Sequence, residues 1–232
     1  MSPSVAPHLG PGLFVTGTDT GCGKTEVSLG LMHWLQARGL DVLGMKPVAS
    51  GCTVTDQGLR NPDALSLQRQ ASRPLPYARV NPYAFAPPVA PHLAAEQAGV
   101  SIDLAVIRSA WQGLAEQADL VVVEGVGGWR VPLGPGLELA DLVRALDLPV
   151  VLVVGLRLGC LNHALLSAEG ILSSGARLLG WVANCADPDM LMAQQNITAL
   201  TQRLPAPCLG QVPWLAHPEP ETVAATISLD PA

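Results

Sequence analysis

Lys24 and Thr25 directly follow a glycine turn, Gly17 to Gly23, inside the stretch Gly12 to Leu35, and that order of residues suits the holding of phosphate. Glycines let backbone N–H groups converge on phosphate oxygens, and the N-terminus of a following helix adds positive potential. Lys24 would reach the terminal phosphates of a nucleotide, and the Thr25 hydroxyl would ligate Mg²⁺. Five residues separate Gly17 from Gly23, where the common phosphate-loop pattern has four. The bland alternative is a glycine-rich turn with a chance Gly-Lys-Thr. The context argues for a nucleotide site: the apolar run Leu13-Phe14-Val15-Thr16 precedes the turn, and apolar Val27, Leu29, Leu31, Met32 and Leu35 follow it. Cys22 lies inside the loop with no histidine near it in sequence, so it reads as a backbone-donating position and not as a nucleophile.

A phosphate loop needs a metal and charge handlers. Glu124 closes the apolar run Leu120-Val121-Val122-Val123 and precedes Gly125-Val126-Gly127-Gly128. A carboxylate at the C-terminal end of a central strand faces the crevice where doubly wound sheets bind ligands. Glu124 would ligate Mg²⁺ directly or through water, or else is a solvent-exposed strand-end acid. Lys46 ends a second apolar run in Met45-Lys46-Pro47-Val48-Ala49-Ser50-Gly51, as a cation at the same edge or as plain surface charge. Asp63, after Arg60-Asn61-Pro62, is either a helix N-cap before Ala64 or a metal ligand through water. The five histidines show no metal-ligand spacing.

These residues must be positioned by an alternation of strands and helices. The pattern predicts strands at Asp41–Lys46, Leu120–Val123, Val150–Val154, Leu178–Ala183 and around Cys208–Val212. It predicts helices around Ala64–Arg69, over Ser101–Ala118 with Ser101 as N-cap, near Leu139–Leu146, about Leu161–Ser173 and near Leu191–Leu204. Gly39 reads as the stop of the first helix, and Ala49–Pro91 as a long polar, Pro-rich region. The fold class implied is α/β, a P-loop NTPase-like parallel sheet with helices on both faces. No repeat and no linker divides the chain, so residues 1–232 are expected to form a single domain, with 1–11 a loose lead-in.

Composition agrees. Apolar residues make up 49% and charged residues 14%, which excludes a disordered chain. A formal charge of −6 with no basic run argues against nucleic-acid binding, and the longest apolar segment, Leu148 to Leu156, is too short to cross a membrane. The start of the chain lacks the regions of a signal peptide. Cysteines at 22, 52, 160, 185 and 208 form no Cys-x-x-Cys pair and read as reduced thiols of a cytoplasmic protein.

Several segments together resemble the dethiobiotin synthetases. They are GTDTGCGKT at 17–25, KPVASG at 46–51, GLRNPDAL at 58–65, NPYAFAPPVAPHLAA at 81–95, VEGVGGW at 123–129, VVGLRLGCLNHALL at 153–166, GWVAN at 180–184 and VPWL at 212–215. They occur in the family's order and span nearly the whole chain after the first dozen residues, and the extra loop residue belongs to the family's pattern too. The resemblance implies an ATP-dependent enzyme of biotin synthesis that joins CO2 to 7,8-diaminopelargonate and closes the ring of dethiobiotin, releasing ADP and phosphate. It implies that Lys24 and Lys46 stabilise the transferring phosphoryl group and the carbamate, Lys46 being the position treated as catalytic. Thr25, Asp63 and Glu124 would hold Mg²⁺, and Thr20 and Ser50 would hydrogen-bond the substrate or its carbamate. Gly21, Cys22, Gly23, Lys24, Thr25 and Glu26 would contact the ATP phosphates; Glu124, Gly125, Val126 and Gly127 would line the nucleotide site.

For the base, the resemblance points to Asn184 and Cys185 with Pro213, Trp214 and Leu215. Asn184-Cys185-Ala186-Asp187 is also similar to the guanine-reading Asn-Lys-x-Asp without its lysine. Gly159, Cys160, Leu161 and Asn162 open a helix whose free N–H groups would take the substrate carboxylate. In the family that segment comes from the neighbouring subunit, which implies a homodimer; Asn162 as a simple helix cap is the alternative.

Two rivals share the phosphate loop. A regulatory or partitioning P-loop ATPase typically carries an extra lysine early in the loop, and Gly17 to Cys22 has none. A cobyrinate-type synthetase adds a glutaminase domain, for which this chain has no room.

Overall fold

The computed structural model describes residues 9–230. Six parallel strands form the central sheet: β1 (Gly12–Gly17), β2 (Val42–Met45), β3 (Leu120–Glu124), β4 (Val150–Leu156), β5 (Leu178–Cys185) and β6 (Cys208–Val212). Their spatial order is β6-β5-β4-β1-β3-β2. β1 to β4 are buried along their whole length, which is why each reads as an unbroken apolar run and not as an alternation. The helices α1 (Lys24–Gln36), α2 (Pro62–Gln70), α3 (Leu104–Ala115), α4 (Leu139–Leu146), α5 (Cys160–Ser173), α6 (Ala193–Thr201) and α7 (Pro220–Ala224) flank this sheet.

The buried apolar side chains form one connected core that runs from Leu9 to Leu229. Trp181 and Phe14 are its largest fully enclosed members, and each contributes about 1.5–3 kcal/mol by leaving water. Of the lead-in expected over 1–11, residues 1–8 lie outside the described ones. Its end is packed: Leu9 is buried and the Pro11 carbonyl accepts from the Val121 N–H at 3.0 Å.

The sheet order decides where ligands go. β1 lies between β4 and β3, whose sequence positions point in opposite directions along the sheet, and the loops after their C-terminal ends part there to leave a crevice. Parallel pairing sets Val15 beside Glu124 and Gly155 beside Asn184, so residues distant in sequence end at one edge.

Two features differ from the expectations. The third helix starts at Leu104 with Asp103 as its cap, whose carboxylate accepts from the Ala105 N–H at 2.8 Å, and Ser101 takes no part in the cap. The Pro-rich region is also not one long loop. Beside the expected helix around Ala64–Arg69, present as α2, it holds the hairpin Thr53–Thr55 with Gly58–Arg60, a short helix Tyr77–Val80, a parallel pairing of Val48–Ala49 with Tyr83–Ala84, and a helix Pro91–Gln97. No helix among the described residues is long and apolar enough to cross a membrane.

Candidate active site

The turn after β1 and the start of α1 build the first wall. Gly23 caps α1 in the left-handed region at φ 93°, and a Cβ there would lie 1.9 Å from Asn184 Nδ2, so only glycine fits. Lys24, largely buried, donates from Nζ to the Asp19 carbonyl at 2.8 Å. The Asp19 carboxylate accepts the Thr20 N–H at 2.7 Å and pairs with Arg157, which follows β4. Cys22 is fully buried beneath the loop, and its carbonyl accepts from Asn184 Nδ2 at 3.0 Å.

The second wall is a charge cluster where β2 and β3 end. Lys46 Nζ donates to Glu124 Oε1 at 2.5 Å and to Asp63 Oδ2 at 3.0 Å, and the Thr25 hydroxyl donates to the same Glu124 oxygen at 3.0 Å. Glu124 has no exposed surface, Lys46 is buried, and Asp63 is 40% exposed. Burial pulls the Lys46 ammonium downward, yet the carboxylates of Glu124 and Asp63 outweigh it and hold its pKa above the ordinary value. Burial likewise pushes Asp63 upward, and the adjacent Lys46 ammonium overrides it and holds that carboxyl below its ordinary range. Lys46 is therefore a firmly protonated cation in a poorly solvated place.

Asp63 is not the helix cap. Asn61 caps α2, accepting the Ala64 N–H at 3.1 Å, and Pro62 takes the first helical position. Asp63 is thereby left free to turn toward Lys46.

These walls enclose a cleft of about 520 Å³. Thr20, Gly21, Gly23, Lys24, Thr25 and Glu26 line it from the phosphate loop, and Lys46, Ser50, Asp63, Glu124, Val126 and Gly127 line it from the charge cluster and its flanks. Asn184, Cys185, Pro213, Trp214 and Leu215 line the far end. Gly125 is not a lining residue, because its N–H continues the sheet by bonding to the Val15 carbonyl at 2.9 Å. Asp187 accepts the Asp189 N–H on Oδ1 at 3.0 Å and is not among the residues that line the cleft.

Gly159 to Asn162 also lie outside this chain's cleft. Gly159 caps α5 at φ 95°, Cys160 is buried, Leu161 is half-buried, and Asn162 is exposed inside the helix, not at its cap. Asn61 and Pro218 belong to the lining although the residue types gave no reason to single them out.

Thr25, Asp63 and Glu124 fit a magnesium site. Among the described residues no three His, Cys, Asp or Glu come together. Two carboxylates and a hydroxyl beside a phosphate loop suit Mg²⁺, which keeps waters and takes phosphate oxygens. Glu124 Oε2 is buried without a hydrogen-bond partner, a free acceptor in that cluster.

A family model described as AAA domain matches residues 11–222. The ATP-dependent dethiobiotin synthetase BioD of Pseudomonas aeruginosa (strain UCBPP-PA14) is 57% identical over 95% of this chain and 97% of its own. The protein of that name from Xanthomonas campestris pv. campestris (strain ATCC 33913) is 54% identical over 94% of this chain and 98% of its own. Among solved structures, the signal recognition particle receptor FtsY from Elizabethkingia anophelis in complex with GDP superposes with a TM-score of 0.51 at 15% identity. The match covers 91% of this chain and 58% of that one, so it speaks for the P-loop architecture alone. The cell division protein ftsY of Thermotoga maritima, at 0.50 and 18%, says the same.

Proposed function

The chain belongs to the ATP-dependent dethiobiotin synthetase family, and from that premise we propose how its cleft works. The protein is an ATP-dependent enzyme of biotin biosynthesis that makes dethiobiotin; the kinship does not favour a regulatory ATPase. The single observation that carries the residue-level reading is Lys46, buried and held protonated between Glu124 and Asp63 beside the phosphate loop.

In this reading one amine of 7,8-diaminopelargonate adds CO2 and loses a proton, giving a carbamate. A carbamate oxygen attacks the γ-phosphorus of ATP, and the bond to ADP breaks. The second amine then attacks the carbamoyl carbon, closes the ring and expels phosphate. Negative charge moves between oxygens in each step, so the work is positioning and electrostatic stabilisation. Lys24 and the backbone from Gly21 to Glu26 hold the ATP phosphates. Lys46 stabilises the transferring phosphoryl group and the carbamate, while Thr20 and Ser50 hydrogen-bond the substrate. Thr25, Asp63 and Glu124 would hold Mg²⁺, whose charge would offset that of the phosphate oxygens. Asn184 and Cys185, with Pro213, Trp214 and Leu215, form the base end.

Gly159 to Asn162, outside their own chain's cleft, serve the cleft of a second copy and take the substrate carboxylate at the N-terminus of α5, although the Cys160 N–H is already spent on the Arg157 carbonyl at 3.0 Å. A single domain over 1–232 and a cytoplasmic location belong to the same proposal.

Phosphate release from ATP with bicarbonate tests it, run with and without diaminopelargonate and with dethiobiotin followed by mass spectrometry. Release should depend on the diamine and match product; release that ignores the diamine would sink the reading. Lys46→Ala should cut turnover by about a hundredfold or more while ATP affinity stays within a few-fold.

A further inference from the structure

Behind the charge cluster lie Asn61, Tyr77 and Asn81, of which Asn61 also lines the cleft. Asn81, 3% exposed, donates from Nδ2 to the Lys46 carbonyl at 2.7 Å and to the Tyr83 carbonyl at 3.1 Å. Its Oδ1 accepts the Tyr77 hydroxyl at 2.9 Å. The Tyr77 oxygen in turn accepts the Asn61 N–H at 2.8 Å. Asn61 caps the helix that carries Asp63, and Asp63 closes the circuit by pairing with Lys46 Nζ at 3.0 Å. The Lys46 N–H is spent on the Val80 carbonyl at 2.7 Å, at the end of the same short helix that starts with Tyr77.

The circuit leaves little freedom. Both donors of the Asn81 amide are used on carbonyls, which fixes the side chain's orientation and leaves Oδ1 as its acceptor. Burial pushes the Tyr77 phenol above its ordinary pKa, so it stays a donor, and the Arg60 guanidinium stacked 4.3 Å above the ring holds its plane. The strand end bearing Lys46 and the helix start bearing Asp63 are thus joined twice, once by their side-chain ion pair and once through Asn61, Tyr77 and Asn81. Asn61 and Asn81 are buried and Tyr77 is half-buried; polar groups bonded in series in this way hold one another in place, and a rigid support is what keeps reacting groups within a fraction of an ångström.

We propose that Tyr77 and Asn81 are positioning residues for the reaction, holding Lys46 and Asp63 at the spacing that the carbamate and its phosphorylation require. The proposal rests on the roles given above to Lys46 and Asp63.

The test is a cycle of Tyr77→Phe, Asp63→Asn and the double variant, assayed for dethiobiotin formation well below each variant's melting temperature. Tyr77→Phe removes one oxygen and should lower kcat about tenfold with KM for ATP within about twofold. In the Asp63→Asn background the same change should cost clearly less than about tenfold, because Asp63, one of the two groups it positions, is already gone. Unchanged kcat in Tyr77→Phe overturns the proposal. So does an equal loss in both backgrounds, which is what a merely structural tyrosine would give. Wild-type turnover in Asp63→Asn alone would remove the role given to Asp63, and that failure is distinct because it appears without touching Tyr77.

Discussion

The Glu124 carboxylate has no exposed surface and is paired with the Lys46 ammonium 2.5 Å away. Removing one partner of such a pair strands the other and costs about 3–5 kcal/mol. Lys46→Gln should therefore unfold at lower urea than Lys46→Gln/Glu124→Gln, in which the stranded charge is also removed; strictly additive losses across the cycle would contradict the coupling. The pair also has a pH signature. The raised Lys46 pKa makes its contribution whole below 10.5 and lost as pH rises through the folded value. Asp63, lowered from 3.8, contributes above that value and loses its share as pH falls through its folded pKa, a small share because its side chain is 40% exposed. The stability gap between the parent and Lys46→Gln should narrow above about pH 10.5, as unfolding curves in alkali would reveal; a gap indifferent to alkali would refute it. Each of these residues was legible singly, as a charge at the end of an apolar run. Their pairing was not, because Lys46 and Glu124 are 78 residues apart and only the register of Met45 beside Val123 makes them neighbours. Tyr77 carried no local signal, and Asn81 stood only as the first residue of the 81–95 segment, since a tyrosine and an asparagine acquire their role only through contacts.

The elements were legible where burial is continuous. β1 to β4 announce themselves as apolar runs, and α4 and β6 have the bounds their patterns implied. The start of α3 was not, because Ser101 and Asp103 are both good caps by local chemistry. A tertiary bond decides between them: the Asp103 N–H donates to the Tyr83 hydroxyl at 3.0 Å. The strands at Thr53–Thr55 and Gly58–Arg60 are too short and too exposed to show any period. Element contacts make a prediction of their own at Gly30, in the middle of α1. Alanine normally favours a helix by about 1 kcal/mol over glycine. Here its Cβ would meet Val223 Cγ1 at 2.5 Å, Val223 Cβ at 2.9 Å and the Ala224 backbone nitrogen at 3.3 Å. Val223 is fully buried, so α7 as a whole must give way. Gly30→Ala should be less stable by about 1–2 kcal/mol, read from its denaturant midpoint; a gain in stability would show that the α1–α7 packing is looser than described.

At the scale of the molecule, the loops after the strands of one sheet converge on one cleft, with one segment left over. Gly159 to Asn162 follow β4 as the phosphate loop follows β1, yet they lie outside the cleft of their own chain. Two leucines beside them are exposed, Leu158 at 96% and Leu166 at 59%, next to exposed Asn162 and His163, a mixed surface that suits contact with a second copy. The proposed shared site turns this into a mixing experiment. Lys46→Gln disables the charge cluster, and Gly159→Asp sets a carboxylate at the helix N-terminus meant for the substrate's own carboxylate, so each variant alone should be inactive. In a hybrid dimer one cleft collects both lesions and the other collects none. Random pairing from equal amounts makes half of the dimers hybrid, so co-expression should recover about a quarter of the parent activity. A site confined to one chain would recover nothing, because every cleft would then carry a lesion of its own. Recovery that rises and falls with the hybrid fraction separates the two arrangements, and it does so without requiring any estimate of how strongly the copies associate.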